Sequence, residues 1–321
     1  MNYATITFFA ALAVTHTAAA QNNYPARPIR LIVPFPPGGN IDITARAIAP
    51  GLGELLGQTI VVDNRPGAAG QLGLELGARA APDGYTLVGG QGGNLVVQPH
   101  TYKKLPYDPF KDFAPVALST RNYLALVVSP NAPFKSVKEM IAYARSNPGK
   151  LTFASNGDGG FPHMSMEMLR VQAGFFDYLH IPYKGSGPSI IDLVGGQVAL
   201  SFGSTSVLPH VQTKKLILLG VSGAQRSSFV PDTPTIAESG VPGYEVTAWN
   251  ALFAPATTPA PIISKLNQLV RQGLAHPDSK AVMEAQGLDV TPSTPQELGE
   301  LIRSELAKWS KVIKAAGIKP E

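Results

Sequence analysis

Between residues 29 and 56 the spacing of apolar positions changes period once. Ile29-Arg30-Leu31-Ile32-Val33 is a short run of aliphatic and β-branched side chains and reads as a buried strand. Pro34-Phe35-Pro36-Pro37-Gly38-Gly39 stops it. Ile41, Ala45, Ile48, Leu52 and Leu55 then recur near the 3.6-residue period and predict an amphipathic helix. Asn40 is placed to cap it, and Asp42 in its first turn complements the helix dipole. Gly38 and Gly39 leave backbone N–H groups bare at that helix start. A carboxylate binds such a place without a cationic side chain. The same stretch also reads as a tight turn with no ligand.

The alternation continues along the chain. Thr59–Asp63, Tyr85–Gly89, Leu124–Ser129, Leu151–Ser155, Tyr178–Tyr183, Val198–Phe202 and Leu216–Ser222 are strand-like. Helices are expected from Gly70 to about Ala80, over Val137–Arg145 with Ser136 as cap, and over Pro162–Gln172. Gly90-Gln91-Gly92-Gly93-Asn94 reads as a polar glycine loop, and Asp192–Gln197 as a helix end with a glycine cap. Strands alternating with helices predict an α/β protein with largely parallel sheets. Three glycine-bearing loops, at Gly38-Gly39, Gly67–Gly70 and Gly157–Gly160, each join a strand to a helix. Ligands in open α/β sheets sit beyond such strand ends, and a cleft between domains is a favoured place for them.

Composition narrows the choice. At 321 residues and 44% hydrophobic, the chain suits about two domains with sizeable cores. Its net charge of +4 is spread without a dense basic block, so no nucleic-acid partner is expected. Residues 1–20 resemble a secretory leader: Ile6–Val14 is mostly apolar, and Ala18-Ala19-Ala20 gives an A-x-A signal for cleavage after Ala20. The n-region lacks Lys and Arg. The mature chain, from Gln21, is expected to be exported, and its complete lack of cysteine suits a bacterial periplasm.

Catalytic patterns are sparse. His163 and Glu167 stand four apart, a spacing that would suit a metal, yet no third ligand accompanies them, and no metal is expected. Gly203-Ser204-Thr205-Ser206 lacks the second glycine of a nucleophile elbow. Neither a Walker A loop nor a dinucleotide fingerprint is present, so no cofactor and no enzymatic activity are expected. Lys184, in Tyr183-Lys184-Gly185, either neutralises a ligand carboxylate or points to solvent. Trp249 stands among aliphatics and reads as core or hinge sooner than as a ligand contact.

Several ordered blocks then carry a resemblance. Tyr24-Pro25, Arg27-Pro28-Ile29-Arg30 and Val33–Gly39 with Asp42 open it. Asn64-Arg65-Pro66-Gly67-Ala68, Pro82–Leu87, Leu105–Pro109, Tyr183-Lys184-Gly185, Gly195–Val198, Asp232–Glu238 and Leu252–Ala256 follow in order. Together they resemble the substrate receptors of tripartite tricarboxylate transporters, the Bug or TctC-like family, over nearly the whole mature chain. The resemblance implies a type II-like, two-domain periplasmic-binding-protein fold, each domain a mainly parallel sheet flanked by helices, with the ligand cleft between. It implies a first domain of residues 21–121 and 227–321 and a second of residues 122–226. It also implies a monomer that closes on a small organic carboxylate and delivers it to membrane permease subunits. The alternatives are a sensor or scavenger of the same fold feeding a signalling partner, and an exported metal-dependent enzyme.

The carboxylate is then expected at two places, Pro37, Gly38, Gly39, Asn40 and Asp42 in one domain, and Ser155, Asn156, Gly157, Asp158, Phe161 and His163 in the other. The side chains of Gln91, Asn94, Asn156, Ser204 and Thr205 are expected to select the rest of the ligand, with Gly92 and Lys184 also expected among the binding residues. Asn40, Asp158 and Phe161 depart from the small-polar pattern usual in the family, and Phe161 leaves room for an apolar or aromatic acid. Gly203-Ser204-Thr205 stands where some amino-acid-binding members carry an acid, which argues against an amino-acid ligand.

Overall fold

The computed structural model describes residues 24–183 and 186–320; the leader and Lys184 lie outside them. Among the described residues eleven strands form two sheets: β1 (Ile29–Val33), β2 (Ile60–Asn64), β3 (Thr86–Gln91), β4 (Phe113–Tyr123), β5 (Ala125–Val128), β6 (Thr152–Ser155), β7 (Leu179–Pro182), β8 (Leu200–Gly203), β9 (Ile217–Val221), β10 (Thr247–Pro255) and β11 (Asp289–Val290). The helices are α1 (Asn40–Leu56), α2 (Gln71–Ala78), α3 (Gln98–Thr101), α4 (Val137–Ser146), α5 (Phe161–Gln172), α6 (Ser186–Val194), α7 (Leu208–Gln212), α8 (Ala260–Ala275), α9 (Pro277–Glu284) and α10 (Pro295–Ala316). Among the described residues, no helix is long and apolar enough to cross a membrane.

The first sheet runs β11-β4-β10-β3-β1-β2 and the second β7-β6-β8-β5-β9. Both are mixed, which corrects the expectation of mainly parallel sheets. β1 is parallel to β2 and β3, and β6 to β7 and β8, as strand–helix–strand crossovers require. β10 is antiparallel to β3 and β4, and β5 to β8 and β9. The reason lies in the route of the chain. β4 leaves the first sheet and, after Leu124 alone, becomes β5 of the second. β10 returns alongside β4, with Thr247 opposite Tyr123 and Pro255 opposite Phe113, and a returning strand runs opposite to the one that left. Ser222 fastens the two passages. Its N–H donates to the Leu124 carbonyl, its Oγ accepts the Leu124 N–H at 2.8 Å and donates to the Val246 carbonyl, and its carbonyl accepts the Val246 N–H.

The helix after β1 forms as its period predicts, except at its end. Ile41, Ala45, Ile48 and Leu52 are buried against the first sheet and α8, whereas Leu55 is exposed and Leu56 takes the buried place. Each fully buried Ile or Leu side chain contributes about 1.5–3 kcal/mol. Ser136 caps α4 by accepting the Glu139 N–H, as expected. α6 ends in a left-handed glycine, Gly196, and the Gln197 N–H closes on the Asp192 carbonyl at 2.9 Å. α10 opens on a capping box between Thr294 and Glu297. It packs on β4 of the first sheet and on α5 beside the second, with Trp309 fully buried.

Candidate functional site

The first wall of the site is the β1–α1 turn. Gly38 adopts φ +88°, a conformation that favours glycine, and turns the chain into the helix. Its N–H does not face a ligand; it donates to Asp42 Oδ2 at 2.9 Å. Asp42 is buried and also accepts from Arg46 Nε at 3.0 Å and Asn64 Nδ2 at 2.9 Å. Burial pushes its carboxyl up, but these bonds outweigh it and hold the group below the ordinary carboxylate value. Asp42 is therefore a brace beneath the loop and not a wall of the cleft, which corrects its expected role. Asn40 is the first helical residue and not the cap; Gly39 takes the cap position with extended backbone. The N–H groups of Gly39, Asn40 and Ile41 find no acceptor among the described residues. They remain for an anion at the positive end of α1.

The opposite wall is the β6–α5 turn, with Gly160 at the cap and Pro162 in the first turn. Ser155, expected at the ligand, is buried behind the loop. Its Oγ accepts the Gly157 N–H at 3.2 Å, donates to the Gly157 carbonyl and meets His180 Nε2 at 2.7 Å. His163 Nδ1 accepts the Gly159 N–H at 3.1 Å, and its ring stacks on His180 with centroids 3.9 Å apart. Burial first, then the neighbouring His180 ring, lowers the His163 pKa to about 4. Burial also lowers that of His180, against the pull of Asp158 and Glu167. Ser155 and His163 thus hold the loop from behind and do not line the cleft. The N–H groups of Phe161 and His163 at the start of α5 have no acceptor among the described residues.

Two chemical alternatives meet their test here. Ser155, His180 and Asp158 are linked as in a hydrolytic triad, with His180 Nδ1 3.3 Å from Asp158 Oδ1. The serine is 1% exposed and outside the cleft, so no substrate carbonyl reaches it. Glu167 does not turn to His163; it is bound by Arg170 at 2.7 Å and by the Tyr178 hydroxyl. Asp158, His163 and His180 do bring ligand atoms within 4.8 Å of one another. The imidazoles stack, however, so their in-plane lone pairs do not converge, and His163 Nδ1 is occupied by Gly159.

Between the two walls lies a cavity of about 1020 Å³. Of the expected residues, Gly38, Gly39, Asn40, Gln91, Gly92, Asn94, Asn156, Gly157, Asp158, Phe161, Ser204 and Thr205 line it. Pro37, Asp42, Ser155 and His163 do not, and Lys184 lies outside the described residues. Gly90–Asn94 is not a free loop: β3 runs to Gln91, and a π-helical turn follows over Gly93–Val97. Gln91 Nε2 donates to Asn250 Oδ1 at 3.1 Å, and Asn94 Nδ2 to the Ala69 carbonyl at 2.7 Å. Phe161 lines the cavity and packs T-shaped on Trp309 at 5.5 Å. Thr205 Oγ1 donates to the Gln286 carbonyl at 2.7 Å, joining the two sides at one rim. Phe35, Gln98, Asn122, Trp249, Asn250 and Gln286 also line the cavity and escaped the sequence. Trp249 is 2% exposed, as a core residue would be, yet it belongs to the wall.

Among the described lining residues there is no Lys or Arg. Two helix starts, of α1 with 17 residues and α5 with 12, border this cavity and turn the positive ends of their dipoles to it. Such a site suits an anion.

Known proteins resemble this chain in sequence and fold. A family model described as the tripartite tricarboxylate transporter family receptor matches residues 44–318. A solved R. palustris structure with adipate is 35% identical, covers 93% of this chain and 100% of its own, and superposes with a TM-score of 0.82. The periplasmic binding protein BugD is 33% identical, with coverage of 93% and 100% and a TM-score of 0.79. MatC from Rhodopseudomonas palustris with bound malate is 34% identical, with coverage of 90% and 100% and a TM-score of 0.78.

Proposed function

The chain belongs to the tripartite tricarboxylate transporter receptor family, and from that premise we propose that it is an exported periplasmic receptor for a small organic carboxylate. It hands that ligand to the membrane subunits of a tripartite tricarboxylate-type transporter. The observation that carries the ligand class is the pair of uncapped helix starts, at Gly39–Ile41 and at Phe161–His163, facing one cleft whose described lining holds no cation. The carboxylates in the R. palustris structure and in MatC support it. The leader at residues 1–20 supports export, with cleavage after Ala20.

In this reading the chain crosses between the domains near Leu124 and again between Ser222 and Thr247. That second passage contains the boundary expected at residues 226–227, with Thr235 and Tyr244 still packed on the second sheet. Closure joins the α1 and α5 starts around the anion, and the ligand shifts the population toward the closed state because that state binds it better. The test is calorimetry on the chain from Gln21 with mono-, di- and tricarboxylates. Gly39→Val serves as the control: a Cβ at Gly39 meets only the Pro36 carbonyl at 3.8 Å, so the fold accepts it. The branched side chain would cover the open N–H groups, and binding should fall at least a hundredfold with Tm nearly unchanged. Unaltered affinity in Gly39→Val would remove the α1 start from the site.

A further inference from the structure

We propose that the cleft selects a hydroxylated carboxylate, whose hydroxyl group is read by Asn94 and Trp249; this rests on the carboxylate-receptor reading and narrows it. Both side chains line the cavity, Asn94 at 3% and Trp249 at 2% exposure. Both also carry a buried polar atom without a hydrogen-bond partner, Asn94 Oδ1 and Trp249 Nε1. A buried unpaired donor or acceptor costs about 1–3 kcal/mol, which a partner arriving with the ligand would recover.

The orientation of Asn94 is not free. Its Nδ2 donates to the Ala69 carbonyl, an acceptor only, so the amide cannot flip and the atom left over is an acceptor. Gln98 Nε2 reaches the same carbonyl at 3.0 Å, and Tyr107 donates to Gln98 Oε1 and to the Asn94 carbonyl, which fixes the arrangement from behind. Trp249 is held as firmly. Its indole lies on Gly92, where a Cβ would come within 3.0 Å of Nε1. The ring can donate and never accept.

The wall therefore asks the ligand for a donor toward Asn94 and an acceptor toward Trp249. A carboxylate has acceptors only and would set oxygen against the Asn94 oxygen. An ammonium has donors only and would leave the indole N–H unpaired. A methylene satisfies neither. A hydroxyl group supplies both. Sites with buried groups made to hydrogen-bond a hydroxyl discriminate strongly against the analogue lacking it, because both groups then stay unpaired.

Matched acids test this on the chain from Gln21: malate against succinate, 3-hydroxybutyrate against butyrate, and mandelate against phenylacetate. In the pair that binds, calorimetry should show the hydroxy acid at least tenfold tighter. Trp249→Phe removes the donor and keeps an aromatic side chain; it should bring that ratio down severalfold, because the hydroxy acid loses more affinity than the deoxy acid. Asn94→Ala should likewise lower the ratio. A tryptophan acting only as core would instead lower Tm and both affinities together, and that result overturns the proposal. So does a wild-type ratio near one, which leaves the carboxylate-receptor reading standing. Failure of every acid to bind overturns both.

Discussion

Acid should weaken this protein through His163, and the size of the effect follows from its surroundings. In the fold the ring is neutral, because Nδ1 accepts the Gly159 N–H and burial resists a charge; its pKa falls from 6.5 to about 4. The unfolded chain takes up the proton near 6.5, and the folded chain does not until about 4. The folded state is therefore favoured fully above pH 6.5, and that advantage is lost as pH falls from 6.5 toward 4. Between pH 7.5 and 4.5 the difference amounts to about 2.5 kcal/mol at 1.36 kcal/mol per tenfold change. His163→Asn keeps an acceptor for Gly159 and removes the titration. Urea unfolding of both proteins at the two pH values cancels the carboxylates they share. The wild type should lose about 2.5 kcal/mol more than the variant. Equal losses would refute the reasoning, and would mean that the ring becomes charged in place.

Three further outcomes follow from contacts described above. Asp42→Ala strands the Gly38 N–H and takes one of the two acceptors of Asn64 Nδ2, which keeps its bond to the Phe35 carbonyl; urea unfolding should show a loss of about 1–3 kcal/mol, with carboxylate affinity falling as the β1–α1 turn loosens. Ser222→Ala leaves the Leu124 N–H and the Val246 carbonyl buried without partners, at about 2–4 kcal/mol in the same measurement. In Gly287→Ala the new methyl would fall 2.0 Å from Thr205 Cγ2, at a φ of +70°. Calorimetry should show weaker ligand binding, and adding Thr205→Ser, which deletes that methyl and keeps the hydroxyl, should recover part of it.

The β1–α1 unit was legible because its signal is local: a change of period and a proline-glycine stop lie within 28 residues. The same holds for the α4 cap at Ser136 and the glycine turn after α6. The role of Asp42 was not legible. An acid in a first turn looks alike whether it faces a ligand or its own loop, and the choice was made by Asn64, 22 residues on. β4 and β10 escaped for another reason. Pro115 and the polar stretch Ser119–Asn122 hide the strand character of β4, and its stability comes from β10, far along the chain. Trp249 was read as core from its aliphatic neighbours, and its burial agrees. That its indole N–H lacks a partner depends on Gly92 and the cavity, which no local pattern encodes.

The route of the chain also dictates an order of events during folding. β3 pairs with β10 through Gln91 and Asn250, 159 positions apart, so the first sheet stays open at its centre until the last third of the polypeptide arrives. The second sheet draws only on residues 125–221 and can assemble while that gap persists. Until Thr247–Pro255 inserts, β3 and β4 each present a bare edge to any neighbouring chain. Such distant pairings are slow to form, which makes this interval the period of greatest aggregation risk. A fragment ending before Thr247 would remain in that state for good, however complete its α1 turn.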